Sequence, residues 1–137
     1  MNRRVDVALA AGADGAHLGF DALPASRARA LLGPRAWLGV SAHAPEEVGR
    51  EADAGYAQLA PIFAPLSKPA QRKPLGPAAL EAIRGRGVPV LAQGGIEPAN
   101  AAAVIAAGAA GVAVTGWLSR ADDPGRAAAA LRSALDA

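Results

Sequence analysis

A run of small residues recurs where a helix hands over to a strand. It reads Ala11-Gly12-Ala13-Asp14-Gly15, then Ala107-Gly108-Ala109-Ala110-Gly111, with a related Ala52-Asp53-Ala54-Gly55-Tyr56 between them. Small side chains at such a junction allow a tight reversal and let a helix lie close on a sheet. Around these junctions the hydropathy pattern alternates between helical and strand periods. It predicts helices over 5–11, 24–32, 45–54, 77–84, 98–107 and 124–135, and strands over 16–19, 36–41, 56–62, 88–92 and 111–115. Pro45 suits a first helical turn, and Asp122 or Asp123 suits the cap of the last helix. The fourth strand is almost wholly apolar, as expected of a strand covered on both faces. A Pro-rich loop over 63–74 follows the third strand. Regular βα repetition implies a parallel sheet, in a barrel or a doubly wound arrangement.

Composition narrows the function classes. Hydrophobic residues make up 52% of the 137 and charged residues 19%, which is globular rather than disordered. Aromatics are only 4%, so the core must come from alanine, glycine and close backbone approach. The absence of cysteine excludes disulfides, Cys-ligated metals and a thiol nucleophile. The net charge is +2, and the arginines are scattered over the predicted helices without interleaved aromatics. That pattern indicates solvated faces, so no nucleic-acid partner is expected. No apolar run reaches the roughly 20 residues that span a bilayer, and the N-terminus lacks a secretory leader pattern. A cytoplasmic protein with no membrane partner is expected.

In parallel α/β folds, functional groups gather at the C-terminal ends of the strands. The candidates are therefore His17, Gly19 and Phe20, then Ser41 and His43, then Pro61 to Phe63, then Gln93, Gly94 and Gly95, and finally Thr115, Gly116 and Trp117. Gly94-Gly95 after a buried strand lets bare backbone approach an anion. Thr115-Gly116 ends the next strand and adds a hydroxyl and another bare amide. Phosphate sites in barrels commonly lie between the last two strand-end loops, so these two pairs are read as a phosphate site. The only two lysines, Lys68 and Lys73, share the 63–74 loop with Ser67 and Arg72. Three cations on such a loop suit closure over a polyanion. His17 and His43, the only histidines, are candidates to orient or protonate a ligand. Ser41 and Gln93 are candidate ligand partners on the same rim.

These motifs, taken in order, resemble thiamine phosphate synthase and its relative, the TenI-type thiazole tautomerase. The resemblance runs along the whole chain. It rests on Asn2 with Val5-Asp6, the 11–19 segment ending His17-Leu18-Gly19, Leu38-Gly39-Val40-Ser41-Ala42-His43, and Pro45-Glu46-Glu47. It continues through Ala60-Pro61-Ile62-Phe63, Ser67-Lys68-Pro69, Leu75-Gly76, the 88–96 segment around Gln93-Gly94-Gly95-Ile96, and Gly111-Val112-Ala113-Val114. It implies a (β/α)8 TIM-barrel family member. Here that is an incomplete barrel of about five parallel βα units in one domain, 1–137, with three N-terminal units absent and a homo-oligomer expected.

The resemblance also implies a transferase of thiamine biosynthesis that joins thiazole phosphate to hydroxymethylpyrimidine diphosphate and releases pyrophosphate. Positive charge offsets the leaving pyrophosphate in such chemistry. Carried over by position, the catalytic candidates are Lys68, Ser67 and His43. The phosphate and substrate candidates are Ser41, Gln93, Gly94, Gly95, Thr115 and Gly116. The family's Mg2+ is held by two aspartates, but those positions are Arg3 and Ala22 here, with Phe20 where the family has glutamine. No metal ligand is therefore assigned. The tautomerase histidine position is Pro61, and a serine of the family is replaced by Gly116. Synthase, tautomerase and non-catalytic phosphate-ligand module all remain open on the sequence.

Overall fold

The computed structural model describes residues 1–50, 53–65 and 72–136. Five strands form one sheet: β1 (Gly15–Leu18), β2 (Trp37–Ala42), β3 (Tyr56–Leu59), β4 (Val90–Gln93) and β5 (Gly111–Ala113). Each pairs in parallel with the next, so spatial order follows chain order. Helix α1 (Val5–Ala10) precedes β1, and the crossovers carry α2 (Ala25–Leu32), α3 (Ala78–Glu81) and α4 (Pro98–Ala106). After β5 come a one-turn helix, α5 (Gly116–Ser119), and α6 (Pro124–Asp136).

The period of two along each strand sorts the side chains between two faces. Ala16 and Leu18, Leu38, Val40 and Ala42, Ala57 and Leu59, and Val90 and Ala92 all point outward into one core. They meet Val5 and Ala8 of α1, Ala25 and Ala28 of α2, Ala79 and Leu80 of α3, and Ala101 and Val104 of α4. The many alanines let the helices sit close, as the sparse aromatic content requires. The intervening positions form the inner face: His17, Ser41, Tyr56, Gln58, Leu91 and Gln93 are half-buried, and Trp37 is exposed. The fourth strand is thus covered by helices on its outer side only, with Leu91 half-buried on the other.

Four expectations change. The strand expected over 111–115 ends at Ala113, so Thr115 stands at the N-cap of α5 and Gly116 opens it. Among the described residues of 45–54, only Pro45–Glu47 is helical, as a 3₁₀ turn, and 51 and 52 lie outside the described residues. Val48 turns extended (φ −69°, ψ 125°) and Gly49 takes φ 86°. The Glu47 carboxylate bends back to accept the His43 N–H at 2.7 Å at the start of this turn. The helix over 77–84 keeps α geometry only through α3. Ile83 and Arg84 then bond three residues back, to Leu80 and Glu81, in tighter 3₁₀ turns. The third strand stops at Leu59, because Pro61 has no N–H to carry the ladder on. Helix α5 is an addition that the sequence pattern did not reveal. The last helix begins as expected, with the Asp123 side chain accepting the Arg126 N–H at 2.9 Å.

Leu59 is fully buried between the sheet and the helices. Leu59→Ala is expected to cost about 2–5 kcal/mol through lost transfer energy and a residual cavity. Urea unfolding checks this as a lower midpoint with an unchanged slope.

Candidate functional site

The C-terminal strand ends surround one open cleft of about 360 Å3. Ser41 and His43 come from the end of β2, and Gln58, Ala60 and Pro61 from β3 and its exit. Gln93, Gly94, Gly95 and Ile96 follow β4, and Ala113 to Trp117 follow β5. Pro65 and Arg72 contribute from the 63–74 loop. Ser41, His43, Gln93, Gly94, Gly95, Thr115 and Gly116 therefore line a single space. Ser67 and Lys68 lie outside the described residues. Lys73 is exposed and does not line the cleft.

The glycine pair has a tighter reason than anion approach alone. Gly94 and Gly95 have φ 94° and 62°. A Cβ on Gly94 would lie 2.9 Å from Pro61, and one on Gly95 would lie 2.3 Å from the Ala64 carbonyl oxygen. The exit of β3 presses on this turn, so side chains are excluded by protein before any ligand arrives. Asn100 then sets the turn's orientation. Its Nδ2 donates to the Gly95 carbonyl at 2.9 Å, and its Oδ1 accepts the Glu97 N–H at 3.0 Å. On the β5 side, Trp117 Nε1 donates to the Ala127 carbonyl at 3.2 Å and ties α5 to α6.

The inner face carries a hydrogen-bonded string below the cleft. His17 Nε2 is 3.0 Å from Ser41 Oγ, and His17 Nδ1 is 3.2 Å from the Tyr56 hydroxyl. Burial pushes the His17 pKa below its ordinary value, helped by the nearby N-terminal ammonium, and burial raises that of Tyr56. Both groups are therefore neutral at pH 7. At the rim, Phe20 is 61% exposed and its ring packs on His43, centroid to centroid 4.3 Å. The Arg72 guanidinium lies 5.9 Å over the Phe20 ring, a cation–π distance.

Mg2+ does not fit the residues present. Among the described residues, no three His, Asp or Glu side chains converge as metal ligands. Arg3, which by the resemblance stands at one of the family's aspartate positions, ion-pairs with Asp21 just after β1. Arg3 is also the only non-glycine among the described residues with a left-handed backbone, φ 64°.

Sequence reasoning passed over Tyr56, Gln58 and Asn100. A signal for the first two was present: both are polar positions alternating with the buried Ala57 and Leu59. Asn100 sits three residues after Glu97 at a helix start, a spacing typical of reciprocal capping.

Five sequential parallel βα units with a polar cleft at the strands' C-terminal ends define a barrel-type α/β protein. The model of the family described as thiamine monophosphate synthase matches residues 1–118, and the chain belongs to that family. The thiamine-phosphate synthase of Roseiflexus sp. (strain RS-1) is 46% identical over 138 residues, covering 98% of this chain and 58% of that protein. The thiamine-phosphate synthase of Chloroflexus aurantiacus is 46% identical, covering 97% and 62% respectively. The structure of thiamine phosphate pyrophosphorylase from Pyrococcus furiosus superimposes with a TM-score of 0.83 at 32% identity, over 98% of this chain and 65% of that one. The chain thus spans about three-fifths of the length of these relatives. No helix among the described residues is long and apolar enough to cross a membrane.

Because the His17 pKa is depressed in the fold, the unfolded chain binds this proton more readily. The associated stability is complete above the unfolded value of about 6.5 and is lost as pH falls below it, until folded His17 itself protonates. A histidine NMR titration is expected to place the His17 midpoint below that of an unfolded peptide. A midpoint at or above the peptide's contradicts the burial assigned here.

Proposed function

We propose that the chain is a thiamine-phosphate-synthase module that holds thiazole phosphate between the Gly94-Gly95 turn and Thr115-Gly116. The observation that carries this reading is the single cleft shared by those two strand ends, with Ser41, Gln58 and Arg72 across from them. Paired strand-end loops of this kind hold phosphate in many barrels. The phosphate would meet the Thr115 hydroxyl at the exposed rim, and the Gln93 and Ser41 side chains would face the rest of the ligand.

The reaction that fits is transfer of the pyrimidine group from its diphosphate to the thiazole. The bond to the diphosphate breaks, the pyrophosphate leaves with the electron pair, and positive charge nearby lowers the barrier. Arg72 supplies such charge from the described residues, and by resemblance Lys68 adds a second cation while Ser67 faces the pyrophosphate. Because the acidic ligands for Mg2+ are replaced, no step is routed through a metal. Thiazole phosphate binding is proposed to be independent of it. The tautomerase reading is weaker, since Pro61 occupies the position of its histidine. Self-association belongs to the same reading and is supported by Trp37, 70% exposed on the inner face. Light scattering at a monomer mass would remove it.

Isothermal titration with thiazole phosphate is expected to show binding that survives EDTA. Thr115→Val should weaken it roughly tenfold, the usual scale for a hydrogen bond to a charged group. No binding at millimolar ligand would overturn the reading. Pyrophosphate release from the pyrimidine diphosphate, assayed with thiazole phosphate present, separates a synthase from a module that only binds.

A further inference from the structure

Three side chains on the inner face connect across three strands. His17 on β1 is in register with Gly39 on β2, and Gly39 with Tyr56 on β3. Tyr56 therefore has to cross a whole strand to reach His17. It does so because Gly39 has no side chain: a Cβ there would lie 2.1 Å from Tyr56 Cζ and 2.4 Å from its hydroxyl oxygen. The ring fills that notch, and its hydroxyl meets His17 Nδ1. The other ring nitrogen, Nε2, meets Ser41 Oγ, which lines the cleft.

We propose that His17 is a positioning residue: anchored by Tyr56, it orients the Ser41 hydroxyl so that its proton is offered to an anionic group of the ligand in the cleft. The chain of donors follows from the groups themselves. A phenol is a better donor than a serine hydroxyl, so Tyr56 donates to Nδ1 and fixes the proton of the neutral ring on Nε2. Nε2–H then donates to Ser41 Oγ. With its lone pair engaged from behind, the Ser41 hydroxyl turns its own proton forward. The reverse arrangement, with Ser41 donating to Nε2, would present oxygen lone pairs to an anion. Gly39 belongs to the same device, since any larger residue there displaces the Tyr56 ring. This inference rests on the proposed phosphorylated ligand, but the direction of the relay is measurable without one.

Two readouts separate the parts. Long-range proton–nitrogen NMR of the free protein reports the tautomer of each histidine, and with only two histidines the His17→Ala spectrum makes the assignment. The Nε2–H tautomer is expected for His17, with loss of that preference in Tyr56→Phe. Titration with inorganic pyrophosphate is then expected to weaken about three- to tenfold in each of Tyr56→Phe, His17→Ala and Ser41→Ala. His17→Ala should add nothing once Ser41 is alanine, because it acts only through that hydroxyl. If His17→Ala does not fold, the Tyr56→Phe and Ser41→Ala pair carries the same cycle. The Nδ1–H tautomer in the wild type, or additive losses in the cycle, overturns the positioning role and leaves the ligand reading intact. The Nε2–H tautomer in a protein that fails to bind millimolar pyrophosphate overturns the ligand reading, and with it the hydroxyl's role toward an anion.

Discussion

Parallel pairing of five consecutive strands, each with alternate residues on opposite faces, governs the remainder of the structure. On the outer face the alternation presents Ala16, Leu18, Leu38, Val40, Ala57, Leu59, Val90 and Ala92 to the helices, where burial of apolar surface holds the layers together. On the inner face the same alternation collects His17, Ser41, Tyr56, Gln58 and Gln93. A slip of one residue in any pair would bury these polar groups under the helices and expose the core. The register that stabilises the fold is thus the one that assembles the cleft.

Small residues serve that arrangement in two different ways. At the helix-to-strand junctions they permit tight reversal. At Gly39 and Gly95 they clear space that another part of the chain occupies, the Tyr56 ring in one case and the Ala64 carbonyl in the other. The glycine turn after β4 is therefore a packing requirement as well as a wall of the cleft. Asn100 and Trp117 hold two parts of the cleft rim by hydrogen bonds to backbone carbonyls, so the rim is shaped before a ligand enters. Such preorganisation keeps the ordering cost out of binding.

The electrostatic character of the cleft differs from what the family pattern implies. Where two aspartates would hold a metal, the chain has Arg3 paired with Asp21, and the neighbouring rim carries Phe20 against His43 with Arg72 above it. Arg72 is the guanidinium that lines the cleft. The replacement of the aspartates is visible residue by residue in the sequence. Its consequence, an ion pair rather than a lone cation, is not, because Asp21 lies one position away from the family's aspartate.

The sequence by itself determined the βα order, the parallel class, and the strand ends where Ser41, His43, Gln93, Gly94, Gly95, Thr115 and Gly116 would gather. These follow from local periodicity and turn chemistry, which short segments encode. It also carried the family resemblance, through motifs spread along the chain. Tertiary structure decided the rest. Of the helix expected over 45–54, the described residues keep only the 3₁₀ turn Pro45–Glu47, because Val48 turns extended and Gly49 takes φ 86°. The His17, Tyr56 and Ser41 string exists only because three strands come into register across Gly39. Contacts of that kind depend on residues far apart in the chain, and no local pattern specifies them.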